Sequence, residues 1–166
     1  MDLTKNLYVD ETVAQLRAGG VFLAASDGTK TNIMTIGWGS LGVMWSQPVF
    51  VAPVRHSRYS HGLIVKNGEF TVCVPGAGQM KDELIFCGTK SGRDVDKAAE
   101  LGLTLLDSDL IRTKLIDRCS VSYECKVIGS MEMDPAAVDS GLFAQFYPQP
   151  DLHTLFYGRI MAAHKM

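Results

Sequence analysis

Apolar and polar positions along the chain fall into short runs with two different periods, interrupted by Gly, Pro and Asn-Gly signals. In DETVAQLRAGG, Val13 and Leu16 lie i, i+3 behind a capping Asp10, and Gly19-Gly20 closes the run, so a short helix is expected. VFLAAS (21–26) is continuously apolar and reads as a buried strand. Asp27-Gly28 then turns the chain into a returning strand, NIMTIGW (32–38), giving a hairpin. PVFVAPVR (48–55) is expected as the third strand, with Pro48 and Pro53 placed at an end, an edge or a bulge. SRYSHGLIVKNG suits a helix capped by Ser57 or Ser60 and stopped by Asn67-Gly68.

EFTVCVP alternates Phe70, Val72 and Val74 on one face, the period of a strand. MKDELIFCG is expected as a short helix ended by Gly88, and DVDKAAELG as a second, begun by Asp94 and followed by Gly102. IDRCSVSYECKVIGSMEM and LHTLFYGRIMAAHKM are long strand candidates, joined by a turn or helical connection over MDPAAVDSG. Many strands, few short helices and no βαβ alternation predict an antiparallel barrel with helical insertions.

Composition narrows the class. With 166 residues, 46% of them hydrophobic and 20% charged, the chain is expected to form one domain over 1–166 with an ordinary core. A net charge of −2 disfavours a nucleic-acid surface. No apolar run reaches the roughly 18–20 residues of a membrane span, and MDLTKNLYVDETVAQLRAGG mixes charges with no apolar signal core. A cytoplasmic protein without a membrane partner is expected. Cys73, Cys87, Cys119 and Cys125 form no CxxC pair, so buried free thiols are expected and no metal is assigned; Cys119 and Cys125, six apart, would share a strand face.

Candidate chemistry sits in three segments. RHSRYS offers Arg55, Arg58 and the hydroxyls of Ser57, Tyr59 and Ser60 at a helix start, the donors a phosphate monoester requires; the same residues also suit a solvated turn. CGTKSGRDVDK combines Gly88 and Gly92 with Ser91, Thr89 and the cations Lys90, Arg93 and Lys97, yet matches neither a P-loop nor a dinucleotide fingerprint, and taken alone reads first as an ordinary capped loop before a helix. NIMTIGW alone is a strand. Its backbone groups, with the Asn32 amide and the apolar Met34 and Trp38, suit the rim of a planar ligand. A planar slot beside a phosphate clamp points to a nucleotide-like cofactor.

Taken in order, NxMTxGW, W-x2-P, VR-x2-RYS and CGTxSGRDVDK resemble the flavin reductase-like FMN-binding split-barrel family, in its flavoredoxin-type branch, over about Gly20 to Gly158. The resemblance implies a mainly β fold, a six-stranded antiparallel split barrel that forms a homodimer with FMN near the interface. It implies that Asn32, Met34, Thr35 and Ile36 line the flavin ring and ribityl chain. Arg55, Ser57, Arg58, Tyr59 and Ser60 would surround the phosphate, and Cys87, Gly88, Ser91, Gly92, Asp94 and Lys97 would close the other side. Ser60 stands where many relatives carry Thr and keeps the hydroxyl. The implied activity is electron transfer from NAD(P)H or a redox protein through FMN; a non-enzymatic FMN carrier between partner proteins is the alternative, and pyridoxamine-phosphate-oxidase-like chemistry fits these motifs less well. No catalytic side chain is assigned, because the flavin carries the chemistry. His56, His61, His153 and His164 are scattered, with His61 next to the clamp.

Overall fold

The structure is a computed structural model, and it describes residues 7–166. Helix α1 (Val9–Ala18) leads into β1 (Val21–Ser26) and β2 (Thr31–Ile36), followed by β3 (Ser40–Met44) and β4 (Gln47–Arg55). Helix α2 (Tyr59–Asn67), β5 (Glu69–Pro75), α3 (Lys81–Thr89) and α4 (Lys97–Leu101) come next. The short strands β6 (Leu105–Leu106) and β7 (Leu115–Ile116) precede β8 (Cys119–Glu132), a 3₁₀ turn at Pro135–Ala137, α5 (Ser140–Phe146) and β9 (His153–Lys165).

Seven of these strands form one antiparallel sheet in the order β2-β1-β5-β8-β9-β4-β3, and β6 pairs separately with β7. The expected mainly β fold with short helices is present. The expected six strands are corrected to seven, and the sheet is not closed: β2 and β3 are its edges and do not pair with each other. One core cluster nevertheless takes Leu23 and Met34 from one end of the sheet, Phe70 and Tyr123 from its middle, and Phe50 and Phe156 from the other end. Side chains from six strands meet in one cluster only if the sheet is strongly curled. A second cluster, including Phe22, Ile33, Cys73, Leu84 and Ile116, fills the space between the opposite face of β1, β2 and β5 and helix α3.

The strand of the seven-stranded sheet missed in the sequence is β3, exposed over most of its length and carrying a glycine and a serine among its five residues. It forms a hairpin with β4 through Trp45 and Ser46, both in the left-handed region at φ 50° and 57°, the geometry of a two-residue hairpin turn. PVFVAPVR is therefore the fourth strand, not the third. Pro53 lies beyond the last β3–β4 pair, Ser40 with Val51, where β4 retains only β9 as a partner.

Several caps also differ from expectation. Asp10 lies inside the first turn of α1, behind Tyr8; α2 starts after Arg58 with no side-chain cap, so neither Ser57 nor Ser60 serves; and the α4 cap is Asp96, which accepts from the Ala99 amide, not Asp94. Gly68 and Gly102 end their helices as read, with positive φ. The four cysteines are free and buried. Cys119 and Cys125 nonetheless face different clusters, because Ser120 is skipped in the β5–β8 register where Val74 pairs with Val121 and Pro75 with Cys119. One bulged residue reverses the alternation. No helix among the described residues is long and apolar enough to cross a membrane.

Candidate functional site

β2 pairs only with β1, so its outer side carries backbone donors and acceptors that no strand satisfies. Helices α3 and α4 fill part of that edge. Thr35 Oγ1 donates to the Leu84 carbonyl at 2.6 Å, and Lys97 Nζ donates to the carbonyls of Ile33 at 2.7 Å and Cys87 at 2.9 Å. Beside this edge lie two cavities. The wider, of about 250 Å³, is lined by Met34, Thr35, Ile36, Gly37 and Trp38 on one side, and by Pro53, Arg55, Arg58, Gly88 and His153 on the other. The narrower, of about 150 Å³, is lined by Asn32, Met34 and residues 57–60 of the RHSRYS segment, against Thr89 to Arg93 and Lys97. Met34 and Arg58 line both, so the cavities adjoin.

The narrower cavity collects donors. Arg58 directs both terminal nitrogens to the Gly88 carbonyl at 3.0 Å, which holds its guanidinium between the two cavities. Lys97 is buried, and two of its three N–H bonds are used by the carbonyls; the third remains. Burial pushes its pKa down to about 8. Ser60, also buried, accepts from Asn32 Nδ2 at 2.8 Å and keeps its own proton to donate. Arg93 lies over the Tyr59 ring at 5.3 Å and donates to the Ser57 carbonyl. Two guanidinium groups, two ammonium groups and the Ser60 hydroxyl around about 150 Å³ suit a dianionic phosphate.

Asn32, Met34, Tyr59, Ser60, Ser91, Gly92 and Lys97 all line the narrower cavity, with Arg58; Thr35, Ile36 and Gly88 line the wider one. The structure separates four expected residues from the roles given them. Arg55 lies on the wall of the wider cavity, where it donates to the carbonyls of Asp151 and Phe146 and stacks on Tyr147, so its charge holds the α5–β9 connection. Ser57 lines the narrower cavity, but its amide and hydroxyl both donate to the Asp151 carboxylate, leaving it no proton for an anion. Cys87 is buried in the second core cluster and offers only its carbonyl, to Lys97. Asp94 is exposed and lines neither cavity; its amide closes a turn onto Ser91.

Sequence reasoning passed over His153. It starts β9 as the cross-strand partner of Arg55, a register with no local signal in the sequence. Its Nδ1 pairs with the Tyr147 hydroxyl at 2.7 Å, and its ring lies 5.2 Å from that of Trp38, which itself packs edge-on against Phe146. Burial, with Arg55 nearby, pushes the His153 pKa down to about 4. Between pH 6.5 and about 4 the unfolded chain therefore binds a proton that the folded chain refuses, and stability falls as pH drops. We expect an acid-side loss of up to about 1.4 kcal/mol per pH unit, read by denaturant unfolding, and a shallower slope in His153→Gln.

The fold and site together are a curled antiparallel sheet with a cation-lined cavity beside its free strand edge. The chain belongs to the flavin reductase like domain family, whose model matches residues 14–165. It is 32% identical over 140 residues to an uncharacterised protein of Archaeoglobus fulgidus, covering 84% of this chain and 68% of that one. A flavoredoxin from Methanosarcina acetivorans superposes with a TM-score of 0.70 at 28% identity, over 89% of this chain and 68% of that chain. An FMN-binding protein of Thermus thermophilus shares the fold at a TM-score of 0.68 and 21% identity, over 88% and 69% of the two chains.

Proposed function

We propose that this chain is an FMN-dependent oxidoreductase of the flavin reductase type, passing electrons from NAD(P)H or a protein donor through FMN. The observation that carries this reading is the placement of a cation-lined cavity of about 150 Å³ next to a wider one of about 250 Å³ along the free edge of β2. A phosphate fits the first and a planar ring the second. The donor set fits FMN on a further point: the buried Lys97 and Ser60 each keep a proton that no group among the described residues takes, and glycine at 92 lets the loop pack against Asn32 and Tyr59, which a side chain there would strike.

Bound FMN would supply hydride and single-electron transfer. The residues of the chain bind and orient it. Arg58, Ser60, Ser91 and Lys97 would hold the phosphate, and the β2 backbone from Asn32 to Ile36 would lie against the ring and ribityl chain. Trp38 and His153 line the wider cavity; His153, with its pKa near 4, stays uncharged at neutral pH and adds no positive charge there. A homodimer would bury the exposed Val43, Met44 and Trp45 of the β3–β4 hairpin.

Purified protein is expected to be yellow, to retain one FMN per chain and to oxidise NADH or NADPH in the steady state. A colourless protein that takes up no added FMN would sink the cofactor assignment. A second reading, a non-enzymatic electron carrier, is favoured by the likeness to the Methanosarcina flavoredoxin. Negligible turnover with both nicotinamides, with FMN bound, would select it. Light scattering that shows only an 18.1 kDa species would remove the homodimer.

A further inference from the structure

Apart from the cavities, one group of side chains converges on a single point. His56 follows β4, His61 stands in the first turn of α2, and Glu132 is the last residue of β8, directly across from Thr154 on β9. His61 Nε2 lies 2.7 Å from Thr154 Oγ1 and His56 Nε2 3.1 Å from the same atom, while Thr154 donates to Glu132 Oε1 at 2.7 Å. The other Glu132 oxygen lies 2.6 Å from His56 Nε2. One nitrogen of each imidazole and a carboxylate oxygen of Glu132 thus lie within 4.8 Å of one another.

We propose that His56, His61 and Glu132 form a binding site for a divalent first-row transition metal, with Zn²⁺ as the representative ion. Two imidazoles and a carboxylate are the ligand types that favour such ions over Mg²⁺ or Ca²⁺. To reach metal–ligand distances of about 2.0–2.2 Å, both imidazole nitrogens would turn from the Thr154 hydroxyl to the ion, and water would complete the coordination. Supporting contacts already fix the ligands. The His61 ring packs edge-on against Phe156 and against His56, at centroid separations of 5.3 and 5.0 Å. The His56 amide donates to the Leu152 carbonyl, and the buried Thr154 hydroxyl holds one Glu132 oxygen while the other turns to the metal.

A second group, Asp109, Glu124 and His164, differs in that the fully buried Glu124 already accepts from the amides of Asp109 and Leu110 and from His164. Its carboxylate has no oxygen to spare. The three-element site also ties the end of β4 to α2, on either side of the Ser57–Tyr59 segment that lines the narrower cavity.

The test titrates the FMN-loaded full chain with Zn²⁺ against a chromophoric chelator, and with Co²⁺ by visible absorption. One Zn²⁺ per chain is expected, with a dissociation constant in the micromolar range or tighter. His56→Ala, His61→Ala and Glu132→Gln should each weaken it by roughly tenfold or more, whereas His164→Gln should leave it unchanged. His56 and Glu132 are exposed, so their variants should fold. Absence of saturable binding below about 1 mM, full binding by the His56→Ala/His61→Ala double variant, or loss of binding in His164→Gln would each overturn the assignment.

Discussion

Gly92→Ala is expected to abolish tight FMN retention and to lower stability by about 1–3 kcal/mol, the usual cost of overpacking a filled site. An added methyl group would sit 1.8 Å from Asn32 Oδ1, 2.5 Å from Asn32 Cγ and 3.0 Å from Tyr59 Cδ1. Asn32 cannot swing aside without cost, because its amide nitrogen donates to Ser60, and both residues are buried. Breaking that bond leaves a buried hydroxyl and amide short of partners. The substitution thus reaches three residues of the narrower cavity at once. Gly88→Ala is the matched control. Its Cβ would meet Thr35 Cβ at 3.5 Å, an ordinary contact, and Gly88 is inside α3 where alanine is the better helix former. Thermal unfolding of the two variants should diverge, and FMN titration compares Gly92→Ala with the unsubstituted protein because Gly88 itself lines the wider cavity. Equal stability of the two variants would mean that the crowding at Gly92 is relieved by the loop.

Lys97→Met should weaken FMN binding by roughly ten- to a hundredfold, the effect of removing one charge-assisted phosphate contact worth about 1.5–3 kcal/mol. The pH dependence separates this from a packing effect. With a folded-state pKa of about 8 against an ordinary 10.5, the free protein loses the Lys97 proton while the unfolded chain keeps it. Over that interval FMN-free protein gains stability as pH rises. Affinity for FMN moves the other way, falling as pH rises through about 8, since only the ammonium attracts the phosphate. Both slopes should vanish in Lys97→Met. Equal pH profiles for wild type and variant would remove Lys97 from the phosphate site.

Much of this arrangement is legible before any coordinate. VFLAAS, EFTVCVP and the two long C-terminal strands announce themselves because buried strands read as continuous or alternating apolar runs. The site segments are legible because an anion demands cations, hydroxyls and glycine close together in sequence. What was not legible depends on register. β3 is exposed and poor in β-branched residues, so no period marks it. The Ser120 bulge moves Cys119 to the other face without altering the local pattern. Arg55 and His153 become neighbours only through the β4–β9 pairing, and Asp151 captures Ser57 from across 94 residues. Motifs name residues near a ligand; they do not say which donors the protein has already spent on itself.

The unpaired side of β2 has a consequence for the empty protein. An outward-facing row of amides and carbonyls is a template on which another chain's strand can grow. Here α3 and Lys97 cover part of the row, and the proposed ligand would cover the stretch lined by Met34 to Ile36. The cofactor would then act as a plug against edge-to-edge aggregation as well as a redox group, so stripping FMN should shorten the time the protein stays soluble at high concentration.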